Sequence, residues 1–518
     1  MTLAKHFETS FVVTAQKILQ DQYIRDFEFV YSVKGKQNFP CLNMYDPKKI
    51  PYETAAGDPD VACSNGNCVR EEIADGKKKP VVCEFKPVLD QFSVTSKGTE
   101  HERVAEPAGP SCHYYVQKYR ALLASHAAFN YASYFQTMLF TQGSARELLR
   151  RRCLVADEAH EIEEQIIGFI GYDILKSYLD ELKTGFEKFE TGSVEGVAAM
   201  LEFLADGFTQ MADELEAADW EDPRIARYKR RVQRMDLTWK EMRGNPENFV
   251  IQPCTDPFTG KPVVSVKPIE IAKYTRQFFD MPFQMFLSAT INRRMFCETM
   301  GFDESKCAFI EVERSPFDIR NRRVDFLNVA SLNYKSTESD YGAVYAKANE
   351  IIEKHPDQKG LVLVTTKKHC SDLIASSPGS PASASKAGRL VAVYNSQTEG
   401  KQRDALLERH RKSETADVLV SPSLWYGVDL KDDLSRFQII LKTPYPSFAD
   451  RRTRIKARRN PVWYKYAALV KLLQGLGRSV RNSDDHAVTY VLDASALLLI
   501  QQMRPYVPKA YHDVLGWP

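Results

Sequence analysis

Two short strings carry side chains that could act on a phosphoanhydride. Asp157-Glu158-Ala159-His160 sets two carboxylates side by side, one able to hold Mg²⁺ and the other to polarise water. Arg478 and Arg481, within QGLGRSVR (474–481), stand three residues apart, a spacing that puts both guanidiniums on one helix face, able to reach a γ-phosphate. The strings are far apart in sequence, so a nucleoside-triphosphatase built from them is split across domains. The plain alternatives are an acidic helix start, since Glu161, Glu163 and Glu164 continue the acidity, and a solvated basic face.

Short apolar runs stand where such side chains would be mounted. Residues 10–14, 152–156, 283–289, 360–365, 389–394, 417–421, 437–442 and 487–492 read as buried strands, and 463–476 (WYKYAALVKLLQGL) reads as a covering helix. This alternation predicts an α/β chain with parallel sheets, whose ligands bind at the carboxyl ends of the strands. Two segments interrupt it. Residues 35–116 lack periodicity, and 161–250 read as nearly all helical, without strict heptads, as a helical insertion. SSPGSPASASKAG (376–388) reads as a low-complexity surface loop, and no internal repeat is present.

At 518 residues the chain predicts three or more domains of about 150 residues. Hydrophobic content of 43% and charged content of 27% are those of a folded protein. No apolar run approaches the ~18 residues of a membrane span, and the N-terminus lacks an export signal, so an intracellular, cytoplasmic address with no membrane partner is expected. Net charge is only +2, so any polyanion footprint must be local. Arg224 to Arg234 and Arg451 to Arg459 are the two basic clusters, either solvated helix faces or phosphate contacts.

Of ten cysteines, Cys153, Cys254, Cys297, Cys307 and Cys370 are scattered singly, as buried small hydrophobes tend to be. Cys41, Cys63, Cys68, Cys83 and Cys112 fall within one segment rich in Gly, Lys, Asp and Pro. In a chain without an export signal this clustering favours thiolate ligation of a metal or cluster over disulfides. Four thiolates suffice for a cubane [4Fe–4S] cluster and also for zinc.

The order TAQKILQDQY (14–23), KGKQNFPC (34–41), CHYYVQKY (112–119), FNYASYF (129–135), DEAH (157–160), LSAT (287–290), LWYGVDL (424–430) and QGLGRSVR (474–481) resembles the XPD/DinG-type superfamily 2 DNA helicases. Each string alone is weak; their shared order over nearly the whole chain carries the resemblance. It implies two RecA-like parallel-sheet motor domains with an Fe–S insertion and a helical, arch-like insertion. The first motor domain would take 1–34, 117–160 and 251–300, the Fe–S insertion 35–116, the arch 161–250 and the second motor domain 301–518.

The implied activity is ATP-dependent, 5′→3′ helicase movement on single-stranded or forked DNA, with ATP, Mg²⁺ and a [4Fe–4S] cluster as cofactors. Asp157 would hold Mg²⁺, Glu158 would act on water, and Arg478 and Arg481 would stabilise the transferred phosphoryl group. His160, Asp429 and Gln474 would lie near the nucleotide, Ser288 and Thr290 would couple the domains, and Thr14 and Gln22 would touch the nucleic-acid backbone. Four of the five clustered cysteines would ligate the cluster. Tyr426 stands where the family commonly has Glu.

No segment has the phosphate-cradling form G-x-x-x-x-G-K-S/T, which in the family stands just before the TAQ strand. TLAKHFE (2–8) resembles the tail of the helix after that loop, so the expectation is a fragment with a late start, or a loop supplied by a separate polypeptide. The rival expectation is a non-catalytic nucleic-acid-binding protein that keeps the fold.

Overall fold

A computed structural model describes every residue except 1–5, 16, 46–47, 59, 75–76, 97–101, 257–258, 378–388, 394–399, 426–429, 481 and 518. The chain divides into two compact units. The first is Met1–Ser288 with Cys297–Asp303 and Asp450–Arg452; the second is Ala289–Phe296 and Glu304–Ala449 with Thr453–Pro518.

The first unit begins with β1 (Ser10–Thr14), helix α1 (Lys17–Asp26) and β2 (Val30–Val33), then passes through a hairpin of β3 (Val69–Ala74) and β4 (Lys77–Val82). Helix α2 (His113–Leu123) leads back to β5 (His126–Asn130), β6 (Cys153–Ala156) and β7 (Phe283–Phe286). A parallel sheet of order β7-β6-β1-β5-β2 results. Its central strand β1 pairs Phe11 with Ala127 on one side and with Leu154 on the other. Phe11, Val12 and Val13 are buried, the continuous apolar run that a strand covered on both faces requires.

Strands β2 and β5 were not expected from the sequence. HAAFN has no β-branched residue, so propensity is silent there; pairing with β1 and burial of Ala127, Ala128 and Phe129 make it a strand.

The helical insertion is a hairpin of α3 (Val194–Ala218) and α4 (Pro223–Gly244). Ser193 caps α3 by accepting from Gly196 N at 3.1 Å, and Asp222 caps α4 by accepting from Arg224 N at 2.8 Å with Pro223 at the first helical position. The hairpin is followed by paired strands on either side of residue 256. Its helices lead into an antiparallel three-stranded sheet of Tyr172–Leu175, Phe249–Thr255 and Pro262–Pro268, with Ile174 opposite Val264 and Phe249 opposite Pro268.

The first basic cluster is divided: Arg224, Arg227 and Arg230 are exposed, while Arg231 and Arg234 turn inward. Arg231 pairs with Glu181 at 2.9 Å and lies over the Tyr178 ring at 4.2 Å; Arg234 donates to the carbonyls of Gly168 and Gly171 at 3.1 and 3.0 Å. Those arginines tie the insertion to its base. Arg452, from the second cluster, is likewise buried, donating to the Pro268 and Ile269 carbonyls and pairing with Glu163. Cys254 departs from its expected burial and is exposed, with Cys307 partly so.

The second unit is built on a six-stranded parallel sheet: β8 (Arg322–Ala330), β9 (Gly360–Leu363), β10 (Leu390–Ala392), β11 (Val418–Ser421), β12 (Phe437–Ile440) and β13 (Ala487–Asp493), in the order β8-β13-β12-β9-β11-β10. Edge strand β8, RRVDFLNVA, was missed because its charged, partly exposed residues hide an apolar run. Helices α5 (Arg451–Arg459) and α6 (Pro461–Leu476) follow β12, and Asn460 caps α6 by accepting from Trp463 N at 3.0 Å. The 376–388 loop lies largely outside the described residues. Among the described residues no helix is long and apolar enough to cross a membrane.

Trp425 is a buried pillar of this unit, its indole donating to the Val364 carbonyl at 2.8 Å. A Cβ on Gly475 would meet its ring at 2.8 Å, so α6 approaches only because residue 475 has no side chain. Gly475→Val is expected to lower stability by about 1–3 kcal/mol. A reduced midpoint in urea, followed by tryptophan fluorescence, checks this.

Candidate functional site

Asp157 follows β6 directly at the carboxyl edge of the first sheet. Val155 and Ala156 before it are buried, so the chain can turn polar only where the strand ends. The Asp157 backbone N donates to Val13 O at 2.8 Å, fixing the residue beside β1. One carboxylate oxygen accepts from Tyr23 OH and the other from Glu158 N, both at 3.0 Å, and the Asp157 carbonyl accepts from Tyr131 OH at 2.9 Å. Burial, and then the Asp157 charge, push the Tyr23 and Tyr131 phenols up, so both remain donors at neutral pH. Sequence reading missed both tyrosines, although Tyr23 closes the TAQ segment and Tyr131 lies in FNYASYF.

Glu158 has φ 52° and ψ 47°, the left-handed region that a non-glycine residue adopts at a cost. The turn swings its carboxylate to 3.3 Å from His160 Nδ1. The same ring nitrogen lies 3.1 Å from Ser288 Oγ, and Ala159 N donates to Leu287 O at 2.8 Å. The DEAH turn and the end of β7 are therefore locked together. Ser288 closes the first unit's main segment and Ala289 opens the second, so the expected coupling string spans the boundary.

Thr290, on the far side of that boundary, is buried and accepts from Gln474 Nε2 at 3.0 Å within the second unit. Beyond Gln474, α6 stops at Leu476, so Arg478 lies on the following bend and not on a helix face as its spacing predicts. Gly477 ends the helix, and two buried side chains hold the bend: Gln438 of β12 donates to Gly475 O at 2.7 Å and accepts from Ser479 Oγ at 3.2 Å. A glutamine inside the apolar run FQIILK was the available signal, and it was overlooked. Arg478 itself is 4% exposed. Arg481 and Asp429 lie outside the described residues.

Thr14 ends β1 and is fully buried, which removes it from an open phosphate contact in this conformation; Gln22 is exposed on α1.

The five clustered cysteines do converge. Cys41, Cys63, Cys68, Cys83 and Cys112 line one pocket with Asn43, Phe85 and Tyr115. Cys63 and Cys112 sulfurs lie 3.8 Å apart, Lys36 Nζ donates to Cys68 Sγ at 3.2 Å, and Asn43 Nδ2 donates to Cys83 Sγ at 3.6 Å. Hydrogen bonding from Cys63 pulls the Cys68 thiol down to about 5 and the Cys112 thiol to about 7, while burial pushes Cys41 up to about 11. The hydrogen bonds that Cys63 makes to Cys112 and Cys68 push its own thiol up, and burial pushes Cys83 up, so Cys68 and Cys112 are the thiols drawn toward the thiolate, Cys68 beside the Lys36 cation. Among the described residues, no three His, Cys, Asp or Glu side chains are grouped about one metal-ion position. The helical insertion braces the pocket: Asn67 donates to Glu216 Oε1 at 3.1 Å, and Lys229 to Val69 O at 3.2 Å.

Residues 348–511 match the helicase C-terminal domain family. No curated protein sequence matches the chain. Among solved structures, an XPD helicase is similar at 15% identity, covering 99% of this chain and 91% of that one with a TM-score of 0.59. An apo XPD (14% identity, 74% and 80% covered, TM-score 0.47) and Xpd4 of S. tokodaii (13% identity, 76% and 81% covered, TM-score 0.45) are also similar. The chain has the fold of that XPD helicase, an α/β fold with two RecA-like parallel-sheet domains, and its residues 348–511 match the helicase C-terminal domain.

The Gln474–Thr290 bond is buried, so its partners should couple. A double-mutant cycle of Gln474→Leu and Thr290→Val is expected to give about 1 kcal/mol of interaction in unfolding free energy.

Proposed function

We propose that this chain is an ATP-dependent helicase or translocase on single-stranded DNA, moving 5′→3′. The observation that carries the reading is the carboxyl-edge constellation of Asp157, Glu158, His160 and Ser288. Asp157, anchored by two backbone bonds and Tyr23, would hold Mg²⁺; Glu158, aimed by its left-handed turn, would orient water; His160 would relay the state of that turn to Ser288. Across the unit boundary, Thr290 and Gln474 would carry the same change toward Arg478. Nucleic-acid binding is supported by the nature of the similar folds, and the affinity would rest on backbone phosphates.

In this reading the segment 35–116 holds a [4Fe–4S] cluster at the duplex junction. The donor set fits: thiolates from separate loops meet beside one lysine. When bound, the cluster supplies a rigid cross-link between those loops. A second reading, ATP-independent binding of single-stranded DNA, is favoured by one observation: none of the 518 residues form a G-x-x-x-x-G-K-S/T loop.

DNA-stimulated ATP hydrolysis decides between the two readings. Turnover abolished by Glu158→Gln with nucleotide binding retained, and cut about 10³-fold by Arg481→Ala, supports the motor. Single-stranded DNA binding that falls steeply with salt, with no turnover above the Glu158→Gln protein, supports the second reading.

The cluster has its own test. Anaerobically prepared protein is expected to be brown with about four iron atoms per chain, and Cys112→Ser to lose the colour. Stoichiometric zinc without iron would replace the assignment with a zinc site.

A further inference from the structure

The pocket holds one thiol more than a cubane takes, and the five are not alike. Cys41, Cys63 and Cys112 are core residues at 8%, 1% and 7% exposure, packed with Phe39. Each is fixed by its own backbone: Cys41 N donates to Val61 O at 2.7 Å, Cys63 N to Phe39 O at 2.6 Å and Cys112 N to Phe85 O at 2.6 Å.

Cys68 and Cys83 are partly exposed and flank the β3–β4 hairpin. Val69 faces Val82 in register, and Cys83 N donates to Cys68 O at 3.2 Å, so the two cysteines face each other at the hairpin's base. Residues opposed in this way project to the same side, with Cα atoms about 4.5–5.5 Å apart. Both sulfurs thus enter the pocket from one direction. Each also has its own nitrogen donor, Lys36 for Cys68 and Asn43 for Cys83.

We infer that Cys41, Cys63 and Cys112 hold three corners of the cluster, and that Cys68 and Cys83 share the fourth. This rests on the cluster reading above. When one thiolate binds iron, the other stays beside its donor. In exchange, the iron bond to Cys68 breaks as that to Cys83 forms, the incoming thiol's proton passes to the departing thiolate, and the electron count is unchanged. The cluster then tolerates loss of either cysteine. The two forms differ electrically, because only in the Cys68-ligated form does the Lys36 N–H···S bond fall on a sulfur bound to the cluster, and hydrogen bonds to the ligating sulfurs tune cluster potentials.

The test uses the full chain prepared anaerobically. Cys68→Ser and Cys83→Ser should each keep about four iron atoms per chain. Their reduction potentials in spectroelectrochemical titration should differ, and the Cys68→Ser, Cys83→Ser double variant should be colourless. Loss of colour in either single variant overturns the shared corner, assigning Cys68 or Cys83 alone to it; a coloured double variant overturns it too. Should the double variant not accumulate, the single variants still decide. Wild-type protein carrying zinc and no iron would overturn the cluster reading, and this inference with it.

Discussion

A parallel strand covered on both faces admits a polar side chain along its length only where a partner satisfies it, as Ser10 and His126 satisfy each other at 2.8 Å, and that constraint organises both units. In the first, Val12, Val13, Val155 and Ala156 fill the buried run, and the acidic pair begins at the first position past the strand. Backbone pairing fixes where that position lies, because Asp157 N bonds to Val13 O while Leu287 N bonds to Ala156 O at 2.8 Å. The carboxylates inherit the precision of the sheet. Glu158 departs from relaxed geometry, and its left-handed turn is what brings its carboxylate to His160.

The second unit sets a polar side chain inside β12. Gln438 is fully buried in β12, and its amide is satisfied on both sides by the turn that follows α6. A buried amide with both partners in place rigidifies its surroundings; losing one partner leaves a desolvated group unmatched. The bend bearing Arg478 is thereby fixed to the sheet.

Arginines serve as mortar in this protein. Arg151 donates to the carbonyls of Leu122 and Ala124 at the end of α2, and Arg231, Arg234 and Arg452 bind carboxylates, carbonyls and aromatic faces. A planar guanidinium with five donors can satisfy several orphan carbonyls at once, which lysine cannot. The cysteine pocket depends on the same economy of charge, with Lys36 as its nearby cation.

The sequence by itself determined the α/β class, all eight expected strands, the long helices between residues 194 and 244, the carboxyl-edge position of Asp157 and Glu158, and the membership of the cysteine group. These follow from local signals: short apolar runs, helical periodicity, and residues adjacent in the chain. Only the tertiary structure decided that HAAFN is a strand, that Pro262–Pro268 pairs with Tyr172–Leu175, that Arg478 leaves the helix, that Thr14 is buried, and that Arg231 of the basic cluster turns inward to Glu181. Each of those outcomes depends on partners distant in sequence: β1 beside β5, Tyr172–Leu175 beside Pro262–Pro268, Gln438 beside Gly475, Glu181 beside Arg231. Propensity and spacing report what a segment can do alone; pairing and burial select which of those options the folded chain keeps.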